Sequence, residues 1–374
     1  MSQIASQPPA PRRSAQQSEW GAERVDPSVY EPIEKRRWAA DSTLVVLDMR
    51  HLAYRAFYTI SPPPLDGRQR SMTLRIMLDS INAVTSAANT SRVLLVDDGS
   101  IEYKRVAYPN YKSRQDKKDD PERARLSQIF EQHYALAREF FEKNSVPVLH
   151  LPDLEADDCA GLVVGSLLRR ASPVERILLV TDDKDWYQLV RAADGNSPEV
   201  LLWRGVRKRI VDLPAFVSEF GFQPTAYPHY KALVGEPAHG DNIPGVGGIG
   251  DVTAGKMVAA SGTLDEIIKQ CKLACSTKKP KKVEQSVVGS EADARLSLRL
   301  STISLSAHDL VSLWSFSKMK AAAMLQVVDR EVDRVLRTPR YSVGSSAAFV
   351  DPLKRDGVNP SAALEAVARV SAKP

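Results

Sequence analysis

Acidic residues follow three apolar segments of this chain, at the point where each segment ends. Residues 44–47, 93–96 and 177–180 are continuous runs of Leu, Val and Ile, which are typical of buried strands. The acids after them are Asp48, then Asp97 and Asp98, and then Asp182, Asp183 and Asp185. Ligands of an open parallel sheet bind outside the carboxyl ends of its strands. We therefore expect these carboxylates to converge at one edge of a sheet.

A second acidic group opens a helical pattern over residues 155–170. Glu155, Asp157 and Asp158 lie in its first turn, where Glu155 and Asp158 can share a face. Each acid alone is compatible with a turn, a helix cap or a partner of the helix dipole. Crowded together, these carboxylates would repel one another, and hard divalent cations such as Mg²⁺ or Mn²⁺ would relieve that repulsion. No His/Cys cluster competes for the role, so the pattern predicts metal-assisted phosphoryl transfer or hydrolysis.

Helical patterns at 72–89 and 155–170 alternate with the three apolar runs, which predicts an α/β fold with a mainly parallel sheet flanked by helices. A longer helix lies between the second and third runs. Its apolar face comprises Leu126, Ile129, Phe130, His133, Ala137, Phe140 and Phe141. Residues 103–121 are polar and predict a loop or mobile helix. After residue 212 the pattern changes to short helices and Gly-rich turns, and the lysine-rich residues 271–283 predict an exposed linker.

Composition places the chain among soluble globular proteins with a mild basic bias, since its 374 residues carry a formal net charge of +5 and 43% are hydrophobic. No apolar stretch approaches the roughly 18 residues of a membrane-spanning helix. Three cysteines exclude a disulfide scaffold and indicate a reducing compartment. Residues 1–41, rich in Ser, Gln, Pro and Ala, predict a disordered N-terminal extension, and residues 336–374 predict a loosely ordered tail.

Several ordered motifs resemble those of the 5′-nuclease family, which comprises phage 5′→3′ exonucleases, flap endonucleases and the N-terminal nuclease of bacterial DNA polymerase I. The motifs are LVVLDMRHLAYRAF at 44–57, YPNYKSR at 108–114, LEADD at 154–158, TDDKDW at 181–186, DNIPGVGGIG at 241–250 and RLSLRLSTI at 295–303. The resemblance covers roughly residues 42–310. It implies a PIN-like catalytic core over 42–211 with a helical arch at about 103–145. A helix–three-turn–helix DNA-binding region would follow over 212–335.

The resemblance also implies two metal sites. The residues expected at the first are Asp48, Asp97, Glu155 and Asp157, with Asp158 close by, and those at the second are Asp183, Asp185 and Asp241. Family members carry another Asp three residues before the last of these, where this chain has Ala238. Glu236 is the expected substitute, because its spacing from Lys231 matches the family.

Further site residues follow from the same resemblance. Those expected to act on the scissile phosphate are Lys112, Arg114, Arg55 and Lys231, as cations that stabilise developing negative charge. Those expected to contact nucleic acid are Tyr111, by stacking on a base, and Gly245, Gly247, Gly248, Gly250, Thr253 and Lys256, through a Gly-rich hairpin and the helix start that follows it. The family holds K⁺ at this hairpin.

The favoured function is a metal-dependent 5′→3′ exonuclease or structure-specific flap endonuclease that uses two Mg²⁺ or Mn²⁺ ions and leaves 5′-phosphate products. The expected partners are DNA with 5′ ends or 5′ flaps, RNA–DNA primers during replication, and no membrane. We expect a monomer in the cytoplasm, which for a phage-encoded enzyme is the host cytoplasm. Two alternatives remain open, namely a non-catalytic DNA-binding member of the fold and a PIN-type ribonuclease.

Overall fold

A computed structural model describes residues 33, 36–60, 70–113, 121–144, 146–205, 209–236, 240–277 and 279–337. Six strands form one sheet in the order β3-β2-β1-β4-β5-β6. The strands are β1 (Thr43–Asp48), β2 (Val93–Asp97), β3 (Val148–His150), β4 (Arg176–Val180), β5 (Glu199–Arg204) and β6 (Arg209–Val211). All neighbours pair in parallel except β5 and β6, which are antiparallel. The three predicted strands are confirmed as β1, β2 and β4.

Helices cover both faces of this sheet and continue beyond it. Those between the strands are α1 (Met49–Thr59), α2 (Arg70–Ala87), α3 (Glu102–Ala107), α4 (Pro121–Lys143) and α5 (Ala156–Leu168). Those after the sheet are α6 (Leu213–Phe220), α7 (Tyr227–Val234), α8 (Asp251–Ser261), α9 (Leu264–Thr277), α10 (Lys282–Gly289), α11 (Glu291–Ser301), α12 (Ala307–Trp314) and α13 (Lys318–Arg337). Short 3-10 helices occupy Lys184–Leu189 and Pro224–Ala226. The predicted α/β class, with a helical C-terminal region, is confirmed.

The strand pleat divides the apolar side chains into two cores. Leu44 and Val46 of β1 point to the side covered by α5, whereas Val45 and Leu47 point to the side covered by α1, α2 and α4. All six residues of β1 are buried, because a parallel strand covered on both faces needs apolar side chains in both directions. The same alternation sets the direction of each acid that follows a strand.

The long helix predicted between the second and third runs is confirmed as α4. Phe130, His133, Ala137, Phe140 and Phe141 are buried on its inner face. Leu126 and Ile129 are only partly buried, since they lie in the part of the helix nearer its start. Within the described ranges, no helix is both long enough and apolar enough to cross a bilayer.

The exposed linker predicted at 271–283 is wrong. Most of it lies in α9, which buries Ile268 and Cys271 on one face. Lys272 leaves the exposed face of that helix to pair with Glu291 at 2.6 Å. Lys272 lies on the polar side of this amphipathic helix, whereas Lys279 and Lys281 lie between α9 and α10, and Lys282 begins α10.

Two further boundaries differ from the sequence prediction. The segment 103–121, predicted as a loop or mobile helix, begins within the helix α3, and residues 114–120 lie outside the described residues. The predicted extension ends before residue 41, because Trp38 packs against the core and Arg36 pairs with Glu199 at 3.0 Å. Residues 1–32 and 338–374, on which the predicted extension and tail mainly fall, also lie outside the described residues.

Candidate active site

The carboxyl ends of β1, β2 and β4 meet the start of α5, as the strand-end acids predict. The β1 residue Asp48 caps α1 by accepting a hydrogen bond from the His51 backbone N–H at 2.9 Å. Its second oxygen accepts from the Thr181 hydroxyl, just past β4, at 3.3 Å. Asp183 caps the following 3-10 helix through the Asp185 N–H at 2.8 Å. Capping therefore fixes both acids at the sheet edge.

Glu155, which precedes α5, is held by two lysines and a tyrosine. Its oxygens lie 2.5 Å from Lys112 Nζ and 2.6 Å from Lys104 Nζ, and they accept from the Tyr111 hydroxyl at 3.1 Å. Burial opposes ionisation of Glu155, but the two lysines outweigh it and lower the pKa of this carboxyl to about 2. Glu155 is thus a carboxylate that stays charged in a buried position.

Lys231 of α7 organises the acids on the other side of the cluster. Its ammonium lies 2.5 and 2.6 Å from the two oxygens of Asp185 and 2.9 Å from Glu236. Burial raises the pKa of Glu236, but Lys231 more than offsets this, and the net shift is downward. The structure therefore brings Glu236, the expected substitute for the missing Asp, into the same group as Asp185.

Asp98, and not Asp97, faces the other acids. In β2, Asp97 follows Val96, so the pleat turns its side chain toward α4, where it accepts from the Tyr134 hydroxyl and lies 3.3 Å from Arg138 and 3.4 Å from His150. Asp98 lies on the opposite side and accepts from the Ala156 N–H at 2.9 Å. Burial, and then the charge of Asp48, raise its pKa to about 6. The structure thus turns Asp98, and not the expected ligand Asp97, toward the other acids.

Asp158 points away from the cluster. One oxygen accepts from the Tyr103 hydroxyl at 2.5 Å and the other from the Ser304 N–H at 2.7 Å, and the residue is fully buried. It lies one position past Asp157, so the helix rotates it by about 100° into the core. Its contacts join α5 to α3 and to the loop before α12. It still lies 4.0 Å from the Lys104 ammonium that pairs with Glu155, so its expected place close to the first metal stays a prediction.

Tyr111 is also placed differently from its predicted stacking role. Its side chain is only 1% exposed, and its hydroxyl donates to Glu155 and, at 3.4 Å, to Asp241. A base cannot stack on a ring in this position. Among the described residues, Tyr54 and Tyr58 of α1 are exposed aromatic side chains, at 52% and 43%, and Tyr54 packs edge-on against Phe130 of α4.

The Gly-rich hairpin begins with a close approach of two backbones. Gly245 has φ +67° and Gly235 has φ +72°, and a Cβ on Gly245 would lie 2.6 Å from Gly235 N. The Gly245 N–H donates to Ser297 Oγ at 2.9 Å, so this amide is already used within the protein. Gly245 therefore joins α7, the hairpin and α11, and its predicted phosphate contact is corrected.

The rest of the hairpin remains open to approach. Nothing lies within 4 Å of a Cβ built on Gly247, Gly248 or Gly250. Gly250 caps α8, and its carbonyl accepts from the N–H groups of Thr253 and Ala254. Lys256, about one helical turn after Thr253 in α8, is exposed.

Comparisons with known proteins agree with this arrangement. The family model described as "5'-3' exonuclease, N-terminal resolvase-like domain" matches residues 43–221, and the model described as "5'-3' exonuclease, C-terminal SAM fold" matches residues 222–322. The chain belongs to the 5′-3′ exonuclease family.

Individual relatives of this exonuclease-family chain are distant. It is 27% identical over 230 residues to a 5′-3′ exonuclease of Aquifex aeolicus, which covers 61% of this chain and 72% of that protein. It is 30% identical over 239 residues to DNA polymerase I of Mycobacterium tuberculosis, but spans only 24% of that protein's length.

Solved structures share its fold. The 5′-exonuclease of bacteriophage T5 with bound zinc is 21% identical and has a TM-score of 0.61, over 80% of this chain and 100% of that one. The T5 flap endonuclease in a pseudo-enzyme-product complex with DNA and metal ions has a TM-score of 0.59 at 21% identity, over 79% and 98% of the two chains.

The donor chemistry of the exonuclease-family site fits hard divalent cations. Its acids offer only carboxylate oxygens, and burial, reinforced by neighbouring acids, raises the pKa of Asp48, Asp157 and Asp183. Asp241 shows the same upward shift from burial. Among the described residues, no three acids, histidines or cysteines already stand close enough to chelate one ion. Several of the acids instead have partners within the protein, since Lys112 pairs with Glu155, Lys231 pairs with Asp185, and Asp157 accepts a hydrogen bond from Trp186 Nε1 at 2.7 Å.

The basic residues expected at the phosphate have different outcomes. Lys112 lies at the cluster with a left-handed backbone, φ 49°, and its N–H donates to the Asp241 carbonyl at 3.1 Å. Arg55 lies 3.5 Å from Asp182 and is 39% exposed at its side chain, beside the cluster. Arg114 lies outside the described residues.

Sequence reasoning missed Lys104, a buried lysine that pairs with Glu155. Its side chain is 4% exposed, and burial lowers its pKa less than Glu155 and Asp158 raise it. The only sequence signal is a lysine one helical turn before Tyr108 in an otherwise solvated segment. Its partner is remote in the chain, so the pairing could not be found from spacing.

Proposed function

We propose that this protein is a divalent-metal-dependent 5′ nuclease that hydrolyses phosphodiester bonds of DNA at a 5′ end or a 5′ flap. The observation that carries the proposal is the convergence of Asp48, Asp98, Glu155, Asp157 and Asp183 at one sheet edge beside Lys112. Acids in this number hold cations, and a lysine beside them suits a phosphodiester whose charge must be neutralised. Membership of the 5′-3′ exonuclease family supports the same reaction.

The acids divide into two groups that would hold the cations. Asp48, Asp98, Glu155 and Asp157 form the first, and the second comprises Asp183, Asp185, Glu236 and Asp241. Bound Mg²⁺ or Mn²⁺ would supply an activated water and stabilise the leaving oxygen. The two groups adjoin, because the charge of Asp183 acts on both Asp48 and Asp157.

Lys112 would place a cation against the non-bridging phosphoryl oxygens. It lies 2.5 Å from Glu155 and 3.7 Å from Asp241, so it spans the two acidic groups. Its strained backbone angle and its N–H bond to Asp241 fix the arch base to the second group. Lys231 holds Asp185 and Glu236 in position, and Arg55 adds positive charge at the rim.

Finer parts of the proposal concern the partners. The open hairpin at Gly247, Gly248 and Gly250, with Thr253 and Lys256, would meet the duplex backbone, and a K⁺ ion held by its carbonyls belongs to the same proposal. We also propose action on RNA–DNA primers, a monomeric enzyme and a cytoplasmic site of action.

A flap-cleavage assay tests the function. The pure protein is incubated with 5′-labelled flap DNA, with Mg²⁺ or Mn²⁺ and with EDTA. We expect cleavage that requires the metal and falls about 10²–10³-fold in Lys112→Ala. Lys143→Ala, a change at an exposed lysine outside the cluster, should cleave normally.

The same assay separates the alternatives. Flap binding without cleavage at any concentration of either metal would indicate a non-catalytic member of the fold. Preferential cleavage of single-stranded RNA over flap DNA would indicate a ribonuclease.

A further inference from the structure

A groove of about 390 Å³ lies between α7, α11 and α12, apart from the acidic cluster. Its lining residues are Thr225, Pro228, His229, Arg295, Leu298, Arg299, Thr302, Ser312 and Leu313. None of the candidate active-site residues lines it, and none of these nine residues is acidic. Its volume is in the range of small-molecule sites.

Arg299 is a pre-oriented cation in this groove. Its Nε donates to the Leu313 carbonyl at 2.5 Å, and its guanidinium lies 5.2 Å from the centre of the Trp314 ring. These contacts fix the plane of the guanidinium and use one of its five N–H groups. Within the described part of the chain, its polar contact is to a backbone carbonyl and not to an acid.

Arg295, one turn earlier on the same helix, contrasts with it. Arg295 is paired with Asp265 at 2.7 Å and with Glu291 at 3.0 Å. Its charge is largely compensated, so Arg299 is the stronger attractor for an anion. The two arginines lie four residues apart and therefore share one helix face.

Hydrogen-bond donors and apolar surface complete the lining. His229 Nδ1 accepts from the Leu264 N–H at 3.2 Å, so the neutral ring carries its hydrogen on Nε2 as a donor. Thr225 adds a hydroxyl, and Ser312 adds a second, whose present hydrogen bond to the Asp309 carbonyl is 3.4 Å long. Pro228 and Leu298 add apolar surface, so the groove offers both an anion site and an apolar wall.

We propose that this groove binds the phosphate ester of a nucleotide, with Arg299 on the phosphate and the apolar wall against the sugar and base. The ligand has two possible sources, a free 5′-mononucleotide or the backbone of bound DNA. The choice of a nucleotide over other phosphate esters rests on the proposed nuclease function. The anion site itself rests on the groove alone.

Titration calorimetry on the full chain in EDTA tests the proposal, since binding without metal is independent of cleavage. The probes are thymidine 5′-monophosphate, thymidine, inorganic phosphate and a short blunt-ended duplex. The variants are Arg299→Gln and Ser312→Glu, which adds a carboxylate at an exposed position of the groove. Arg334→Gln, at a half-exposed arginine of α13 outside the groove, is the control.

We expect thymidine 5′-monophosphate to bind more tightly than thymidine or inorganic phosphate. Its affinity should fall about tenfold or more in both groove variants. Arg334→Gln should bind it normally. Binding that persists at saturating duplex assigns the groove to free nucleotide. Displacement by duplex, with weaker duplex binding in both variants, assigns it to the DNA backbone.

Unchanged binding of both the nucleotide and the duplex in Ser312→Glu and in folded Arg299→Gln would overturn the proposal. Equal affinity for inorganic phosphate and the nucleotide would overturn the nucleotide assignment, because the apolar wall would then contribute nothing. A protein that binds the nucleotide here but cleaves no DNA would contradict the proposed function while leaving the groove's role intact.

Discussion

Asp97 and Asp98 are neighbours in the sequence with opposite surroundings, so the same substitution should have opposite effects at the two positions. Asp98 faces Asp48 and the start of α5, whereas Asp97 accepts a hydrogen bond from the Tyr134 hydroxyl and lies near Arg138. Replacing each by Asn removes one negative charge and preserves the shape of the side chain. The change at Asp98 should strongly lower the cleavage rate without loss of stability. The change at Asp97 should lower stability and leave the cleavage rate nearly unchanged.

The stability effects follow from the surroundings of each carboxyl. Burial, and then Asp48, raise the pKa of Asp98 from 3.8 to about 6, so the folded protein holds this proton more tightly than the unfolded chain. The free energy of unfolding therefore falls as pH rises from about 4 to about 6, and the loss is complete above that range. The full shift corresponds to about 3 kcal/mol. Because 38% of the side chain is exposed, we expect a loss of about 1–2 kcal/mol.

In EDTA at pH 7, Asp98→Asn should therefore stabilise the protein by about 1–2 kcal/mol, and this gain should vanish near pH 4. Its amide oxygen can still accept from the Ala156 N–H. Asp97→Asn loses a charged partner of Arg138 and His150 at a residue that is 1% exposed, which should cost about 1–3 kcal/mol.

Urea unfolding in EDTA and flap cleavage with Mg²⁺ measure the two effects on the same samples. Loss of a metal ligand at Asp98 should lower the cleavage rate about 10²-fold or more, whereas folded Asp97→Asn should stay within about threefold of wild type. An inactive but fully stable Asp97→Asn, beside an active Asp98→Asn, would refute the assignment drawn from the strand pleat.

Three further predictions test single contacts. Gly245→Ala should destabilise the fold by about 2–4 kcal/mol in urea unfolding, because its φ is positive and the new Cβ would meet the Gly235 backbone. The control Gly247→Ala should change stability by less than about 1 kcal/mol, and equal losses in the two variants would contradict the close approach. Folded Tyr111→Leu should leave the KM for flap DNA unchanged, since the ring that it removes is buried, while Tyr54→Ala at an exposed ring should raise it. A large KM increase in folded Tyr111→Leu alone would restore the stacking role. Lys104→Met should lower the free energy of unfolding by about 3–5 kcal/mol at pH 7 in EDTA, because it breaks a buried ion pair with Glu155. An unchanged free energy of unfolding would show that Lys112 alone compensates the Glu155 carboxylate.

The sequence predicts the strands well because continuous apolar runs that end in acids have few alternatives to buried parallel strands. β1, β2 and β4 begin and end within one residue of the predicted runs. Charge composition was a poorer guide at 271–283, because it does not reveal that residues 271–277 continue α9, which buries Ile268 and Cys271.

Site residues were predictable where a local motif fixes them. Asp48 and Asp183 are caps at strand ends, and local spacing is enough to place them. Tyr111 and Lys104 were not, because their partners lie far along the chain: Tyr111 contacts Glu155, 44 residues away, and Asp241, 130 residues away. In the sequence, a tyrosine buried beside Lys104 and Lys112 looks the same as a tyrosine exposed for stacking on a base. Only the packing distinguishes the two.

The sequence by itself determined the chemistry of this protein: its class of fold, the sheet edge at which the acids gather, and oxygen donors suited to divalent cations. These features depend on residue type and short-range order, which the chain carries directly. Only the tertiary structure decided which acid of each adjacent pair faces that edge. The pleat sends Asp97 and Asp98 to opposite sides of the sheet, and the helix turns Asp158 away from Asp157. A shift of one residue reverses the direction of a side chain, and its outcome depends on where packing ends each strand and begins each helix.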